Sequence, residues 1–242
     1  MQTVSFRATT LPDARFGERL LHLRVTESTV LSDSARCCPF PAGWEGLIAV
    51  SDTLKMSGGS VQVLPLCETL LVKLQVFIDL GDALTGPRSG LATWAMLPVA
   101  CDIVRSHTAL ERWYIAQAMG GCPDYQAFAD VLRHRESYGL VRFLLEQGTR
   151  SEKLTDLARR YGVSVSHFRR LCRQALGSAT KPALRSWRTA RALLNMSLQD
   201  GSLTDVALEF GFASSSHFSK EIRELVGFTP SSLADITYLP GK

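Results

Sequence analysis

Arg169 and Arg170 directly follow the tripeptide Ser166-His167-Phe168, and Arg173 lies three residues beyond them. A guanidinium is a planar fork of donors that matches the acceptor edge of guanine or two oxygens of a phosphate. Further along, Ser215, Ser216, His217, Phe218 and Lys220 repeat the same arrangement with smaller donors. Such side chains suit nucleic-acid contact rather than bond-making catalysis. The remaining chemistry-bearing residues do not assemble in sequence. Cys37, Cys38, Cys67, Cys101, Cys122 and Cys172 form no CxxC pair and no Cys/His set at zinc-ligand spacing. His167 and His217 lie on separate segments, and no phosphate-cradling glycine loop opens a helix. The sequence therefore predicts no enzyme, no cofactor and no metal site. Unpaired thiols in a chain whose N-terminus lacks the pattern of a secretory signal imply a reducing, cytoplasmic setting.

Side chains can read a duplex only when a rigid element presents them, and the repeat supplies one twice. LTDLARRYGV from Leu154 aligns with LTDVALEFGF from Leu203. Leu154, Leu157, Ala158 and Tyr161, like Leu203, Val206, Ala207 and Phe210, follow helical i, i+3, i+4, i+7 spacing. Gly162 and Gly211 end those helices, and Ser164 and Ser214 are suited to cap the next ones. One extra residue falls in the second turn, and Gly177 and Gly227 close both units. Helix, glycine-containing turn, helix is the helix-turn-helix pattern. Phe168, Leu171, Cys172 and Ala175 form the apolar face of one second helix, and Phe218, Ile222 and Leu225 that of the other. Ser166, Arg169, Arg170 and Arg173 then point outward in the first unit, and Ser215, Ser216, His217 and Lys220 in the second.

Residues 181–198 predict a connector helix, with Pro182 in its first turn and Leu184, Trp187, Ala190 and Leu194 facing inward. A rigid connector that holds the readers about 34 Å apart places them in successive major grooves of one duplex face. Charge favours this reading. Between Lys153 and Arg191 ten basic residues meet one acid, Asp156, whereas residues 1–149 hold 13 basic and 15 acidic residues. Dense positive charge gains affinity for a polyanion through counterion release. Residues 192–242 hold three basic residues against six acidic ones. The first unit is thus expected to supply most affinity and the second mostly register. Asp205 and Glu209 are left as candidates to face RNA polymerase.

The expected fold is mainly α: a C-terminal double helix-turn-helix domain with a connector helix, and an N-terminal α+β domain of short strands and helices. Domain boundaries are placed at 1–130 and 131–242, with the two units near 152–177 and 202–227. The first 64 residues, rich in Ser, Thr, Gly and Pro, predict strands and turns. Helices are predicted over 66–80, 94–119 and 125–135, with a loop from Gly81 to Gly90 and a turn at Gly120-Gly121-Cys122-Pro123. The stripe Leu70, Leu71, Leu74, Phe77 and Ile78 suits either domain core or a homodimer face. Mean hydropathy is +0.04, and no uninterrupted apolar run reaches the roughly 18 residues of a membrane span.

GFASSSHFSKEIRELVGFTPSSL, with Gly211-Phe212, Phe218, Gly227 and Thr229-Pro230, resembles the signature of the AraC/XylS family of bacterial transcription regulators. Arg188 followed by Ala192 resembles the family's connector. Two departures stand out: Glu221 occupies the place of apolar Leu171, and Thr180 replaces the usual proline. RESYGLVRFLLEQ and LRSWRTARALLN are similar to the InvF/MxiE/BsaN-type activators of type III secretion genes. That resemblance implies a virulence-gene activator that binds double-stranded promoter DNA. It implies a tetratricopeptide secretion chaperone as coactivator. Carried over by motif, it assigns base reading to Ser166, Arg169 and Arg170, and to Ser215, Ser216, His217 and Lys220. An N-terminal domain that binds a small-molecule effector is the alternative mode of control. A third reading is an interaction protein whose basic half binds acidic partners.

Overall fold

The computed structural model describes residues 7–9, 13–16, 19–66, 68–81, 92–147, 152–198 and 202–230. The chain divides into two compact units, 1–139 and 140–242.

In the first unit, strands alternate short apolar runs with turns. β1 (Arg7–Thr9), β8 (Ser60–Pro65), β3 (Arg19–Glu27), β6 (Glu45–Val50) and β9 (Trp94–Pro98) lie side by side in that order, all antiparallel. A second antiparallel sheet runs β2 (Asp13–Phe16), β7 (Leu54–Ser57), β4 (Thr29–Ser32), β5 (Cys37–Phe40). Because side chains alternate along a strand, Leu21, Leu23 and Val25 share one face of β3. They join Ile48, Val50, Val61 and Trp94 with Phe16, Leu31, Phe40, Leu54 and Met56 of the other sheet in one buried core. The opposite face of β3, with Leu20 and His22, is buried as well.

Helices α1 (Thr69–Gly81), α2 (Cys101–Val104), α3 (His107–Gly120) and α4 (Pro123–Arg133) complete this unit. A polar network joins them. The buried Gln75 carbonyl accepts from the hydroxyls of Tyr114 (2.7 Å) and Tyr125 (3.0 Å), and its amide donates to Asp79 (2.9 Å). Asp79 in turn accepts two bonds from Arg133, at 2.7 and 2.9 Å, and one from the Tyr138 hydroxyl at 2.7 Å. Burial works against the ionised Asp79, but the Arg133 and Tyr138 donors outweigh it and hold its pKa below the usual range. Arg135, only 3% exposed, donates to the carbonyls of Arg19 and Val50 (both 2.8 Å) and pairs with Glu68.

Three expectations change here. Trp94–Pro98 is a strand paired with β6, and the helices begin only at Cys101 and His107. With Trp94, Ala95 and Leu97 all buried, the period-2 alternation that marks a strand is hidden. The buried face of α1 is Leu71, Val72, Gln75 and Val76, rotated from the expected stripe, and Phe77 is 44% exposed. The expected loop from Gly81 to Gly90 lies, beyond Gly81, outside the described residues. The division between units falls at Gly139, inside α5 (Glu136–Gln147), because α4 packs on β9 and β6. No helix among the described residues is long and apolar enough to cross a membrane.

The second unit is helical as expected: α6 (Leu154–Tyr161), α7 (Val165–Leu176), α8 (Thr180–Leu198), α9 (Leu203–Glu209) and α10 (Ser215–Val226).

Candidate DNA-binding surface

Each helix-turn-helix is fixed by the same local chemistry. Gly162 and Gly211 take positive φ angles of 82° and 71°, a left-handed turn that a Cβ would strain. Ser164 Oγ accepts from the His167 backbone N–H (3.3 Å), and Ser214 Oγ from that of His217 (3.1 Å). These bonds satisfy amides that a helix start otherwise leaves open. Both α7 and α10 therefore begin at a capped, sharply defined turn.

Aromatic packing sets their roll. Phe168 is fully buried against Tyr161 (5.6 Å between rings) and Phe143 of α5 (6.2 Å). Phe218 is fully buried against Phe212 (4.6 Å), in a core with Ala192, Val206, Ala207 and Ile222. Small Ala158 and Ala207, both fully buried, allow the paired helices to approach. Cys172 is also buried in the first unit, and burial pushes its thiol pKa up to about 11.

With those faces inward, Ser166, Arg169, Arg170 and Arg173 are exposed on α7. None of the three arginines forms an ion pair with a described residue, whereas Arg159 pairs with Asp156 and Arg160 with Glu152. Arg169, Arg170 and Arg173 line a groove of about 610 Å³ with Lys181, Leu154 and Pro182, and no acid among the described residues lines it. On α10, Ser216, His217 and Lys220 are exposed and Ser215 is half-buried, with its carbonyl accepting from Ser219 Oγ (2.9 Å). Both Lys220 and His217 have acidic neighbours: Lys220 lies 4.0 Å from Glu224, and His217 Nε2 lies 3.2 Å from Glu221 Oε1.

Glu221 itself is buried, 4% exposed, and Arg185 of α8 grips it while also reaching Glu224 at 3.1 Å. Sequence reading marked Glu221 as a departure but not its partner, which lies 36 residues away. The neighbouring Arg188 lays its guanidinium 4.5 Å from the Phe212 ring centre, and burial lowers its pKa. Two other expectations fail. Leu225 is 40% exposed, because Phe218, Glu221 and Ile222 form the inward face of α10. Leu194 is 63% exposed, and Thr189 and Ala192 are the buried positions of the connector instead.

A helix-turn-helix domain family matches residues 157–235. The invasion protein InvF of Salmonella typhi is 37% identical over 185 residues, 76% of this chain and 86% of that protein. The transcriptional regulator MxiE of Shigella flexneri is 40% identical over 114 residues, 46% of this chain and 54% of that protein. Among solved structures, ToxT from Vibrio cholerae covers 98% of this chain and 99% of its own at 11% identity and a TM-score of 0.42. Of these, MxiE is named as a transcriptional regulator. The capped, paired helix-turn-helix units and the match along three quarters of the sequence agree: the chain belongs to the AraC/XylS family of transcription regulators, together with InvF and MxiE.

Proposed function

We propose that this chain activates virulence genes of the type III secretion class by binding their promoters with α7 and α10. The observation that carries the reading is the exposed arginine row of α7, with Ser216, His217 and Lys220 of α10 at the places of Ser166, His167 and Arg170. In this reading Ser166, Arg169, Arg170 and Arg173 enter one major groove, and Ser215, Ser216, His217 and Lys220 the next. Ser215, half-buried, contributes least. The first unit supplies most of the affinity: residues 152–177 carry six basic and two acidic residues, and residues 202–227 carry two and four. Counterion release is correspondingly concentrated on α7.

The acidic second unit faces RNA polymerase at the promoter. Glu209 is the cleaner probe of that contact, because Asp205 is bonded to Ser202 Oγ (2.6 Å) at the start of α9. The protein works in the cytoplasm, and a tetratricopeptide secretion chaperone serves as coactivator through the N-terminal domain. Support for the chaperone comes from the likeness to the InvF/MxiE branch. A homodimer through α1 is a further element of the proposal; Phe77 and Leu80 are exposed on that helix. Control by a small-molecule effector is the competing mode.

Footprinting on a type III secretion promoter, with and without candidate chaperones, tests the reading. Protection of two adjacent major grooves that strengthens transcription only with chaperone is the expected result. Protection indifferent to sequence would defeat it. Activation by a small molecule without chaperone would favour the effector mode.

A further inference from the structure

His22, Glu45 and Cys101 come from β3, β6 and the start of α2, far apart in sequence. Sheet register brings the first two together. His22 pairs with Leu47 and Arg24 with Glu45, so His22 and Glu45 are diagonal neighbours on one face. The Val99 amide bonds to the Glu45 carbonyl (3.2 Å), which delivers the chain after β9 into α2 beside that carboxylate. His22 Nε2 lies 3.5 Å from Glu45 Oε1 and 3.4 Å from the Val99 carbonyl. One donor atom from each of His22, Glu45 and Cys101 lies within 4.8 Å of the other two. His22 is fully buried, and Glu45 Oε1 is buried with no hydrogen-bond partner among the described residues. A buried carboxylate oxygen in that state is costly unless something compensates it.

We propose that His22, Glu45 and Cys101 form a binding site for one divalent ion of the zinc class. The donor chemistry selects the ion. Imidazole nitrogen, carboxylate oxygen and thiolate sulfur together match Zn²⁺ or Co²⁺, whereas Mg²⁺ and Ca²⁺ take oxygen ligands. Donors around a tetrahedral zinc stand about 3.3–3.6 Å apart, given metal–ligand bonds of about 2.0–2.3 Å. The His22 Nε2–Glu45 Oε1 distance already falls there; Nε2 gives up its contact with the Val99 carbonyl to ligate, and half-buried Cys101 must close by about 1.5 Å at most. Three protein ligands leave a fourth position for water.

Binding converts the Cys101 thiol to a thiolate and releases its proton to solvent, as the metal–sulfur bond forms. Two cations lie near the site and oppose the ion, Arg24 and Arg105. Both are exposed, so both can turn toward solvent as the ion enters. The bound ion would clamp β3, β6 and α2 together, a role in the first unit separate from reading DNA.

The full-length protein, stripped with chelator, is titrated with Co²⁺ and then Zn²⁺. One equivalent should bind, with a near-ultraviolet thiolate-to-cobalt charge-transfer band and a melting temperature that rises with free Zn²⁺. Cys101→Ser and Glu45→Gln should each weaken binding by about tenfold or more, whereas the double variant Cys37→Ser/Cys38→Ser should not. Absence of a stoichiometric ion, or binding unchanged in Cys101→Ser, overturns the proposal. X-ray absorption on the unmodified zinc-loaded protein decides the matter if a variant does not fold. One sulfur in the shell supports the site, and none or two sulfurs rejects it.

Discussion

Arg185 of the connector clamps the buried carboxylate of Glu221, at the place where the first helix-turn-helix buries Leu171. At this one position the first repeat packs a leucine, and the second sets an ion pair that also touches His217. Removing one partner strands a buried charge, whereas removing both leaves an apolar contact. Arg185→Ala should lower the melting temperature of the second unit, and Arg185→Leu/Glu221→Leu should recover most of the loss. Calorimetry of the three proteins gives the order directly. An Arg185→Ala protein as stable as the parent would mean that the pair is ornamental.

Arg169→Ala or Arg170→Ala should cost about 1–3 kcal/mol of promoter affinity if either side chain bonds a guanine edge. Lys220→Ala should cost less, because its ammonium already sits beside Glu224. Titrations at several salt concentrations check both statements, and the arginine variants should also flatten the salt dependence. The reverse ranking would assign the main grip to α10.

The serine caps carry a separate expectation. Ser164→Ala and Ser214→Ala should each destabilise the second unit by about 1 kcal/mol, since each removes the acceptor for a first-turn amide. Chemical denaturation measures this, with Ser178→Ala as a control outside both caps. Truncation of the ring beneath each reading helix should be harsher: Phe168→Ala and Phe218→Ala should each lose about 3–5 kcal/mol.

Acid should act on the first unit through Asp79. Its pKa is depressed in the fold, so its stabilising contribution is full above the unfolded value of about 4 and fades as pH falls through the lower folded value. Asp79→Asn should lower stability at neutral pH by about 1–3 kcal/mol, with Arg133 left to Asp130 alone, and should flatten the dependence below about pH 4. Thermal melts from pH 7 to pH 2 on both proteins test the sign. A parallel pH dependence in the variant would remove Asp79 as the cause.

Much of the second unit was legible from sequence because its determinants are local. Leucine and alanine spacing, Gly162, and the serines at 164 and 214 act within one or two turns of the residues they position. Strand β9 was not legible: Trp94, Ala95 and Leu97 are buried together, so the run lacks the alternation that separates strand from helix. Contacts that span the chain were equally hidden. Nothing near Glu221 names Arg185, nothing near Asp79 names Arg133, and nothing near Cys101 names His22. The exposure of Leu194 and Leu225 has the same origin, since helical periodicity gives a face but not where the neighbouring helix ends.

Cys172 is the single cysteine after residue 140, and it is buried with its thiol held protonated at neutral pH. The DNA-reading half is therefore inert to maleimides and mild oxidants while it stays folded. A fluorophore placed on exposed Cys37 would leave that half unmodified. Conversely, reagent uptake at Cys172 would be a clock for the opening of the first helix-turn-helix, readable with DNA bound or absent.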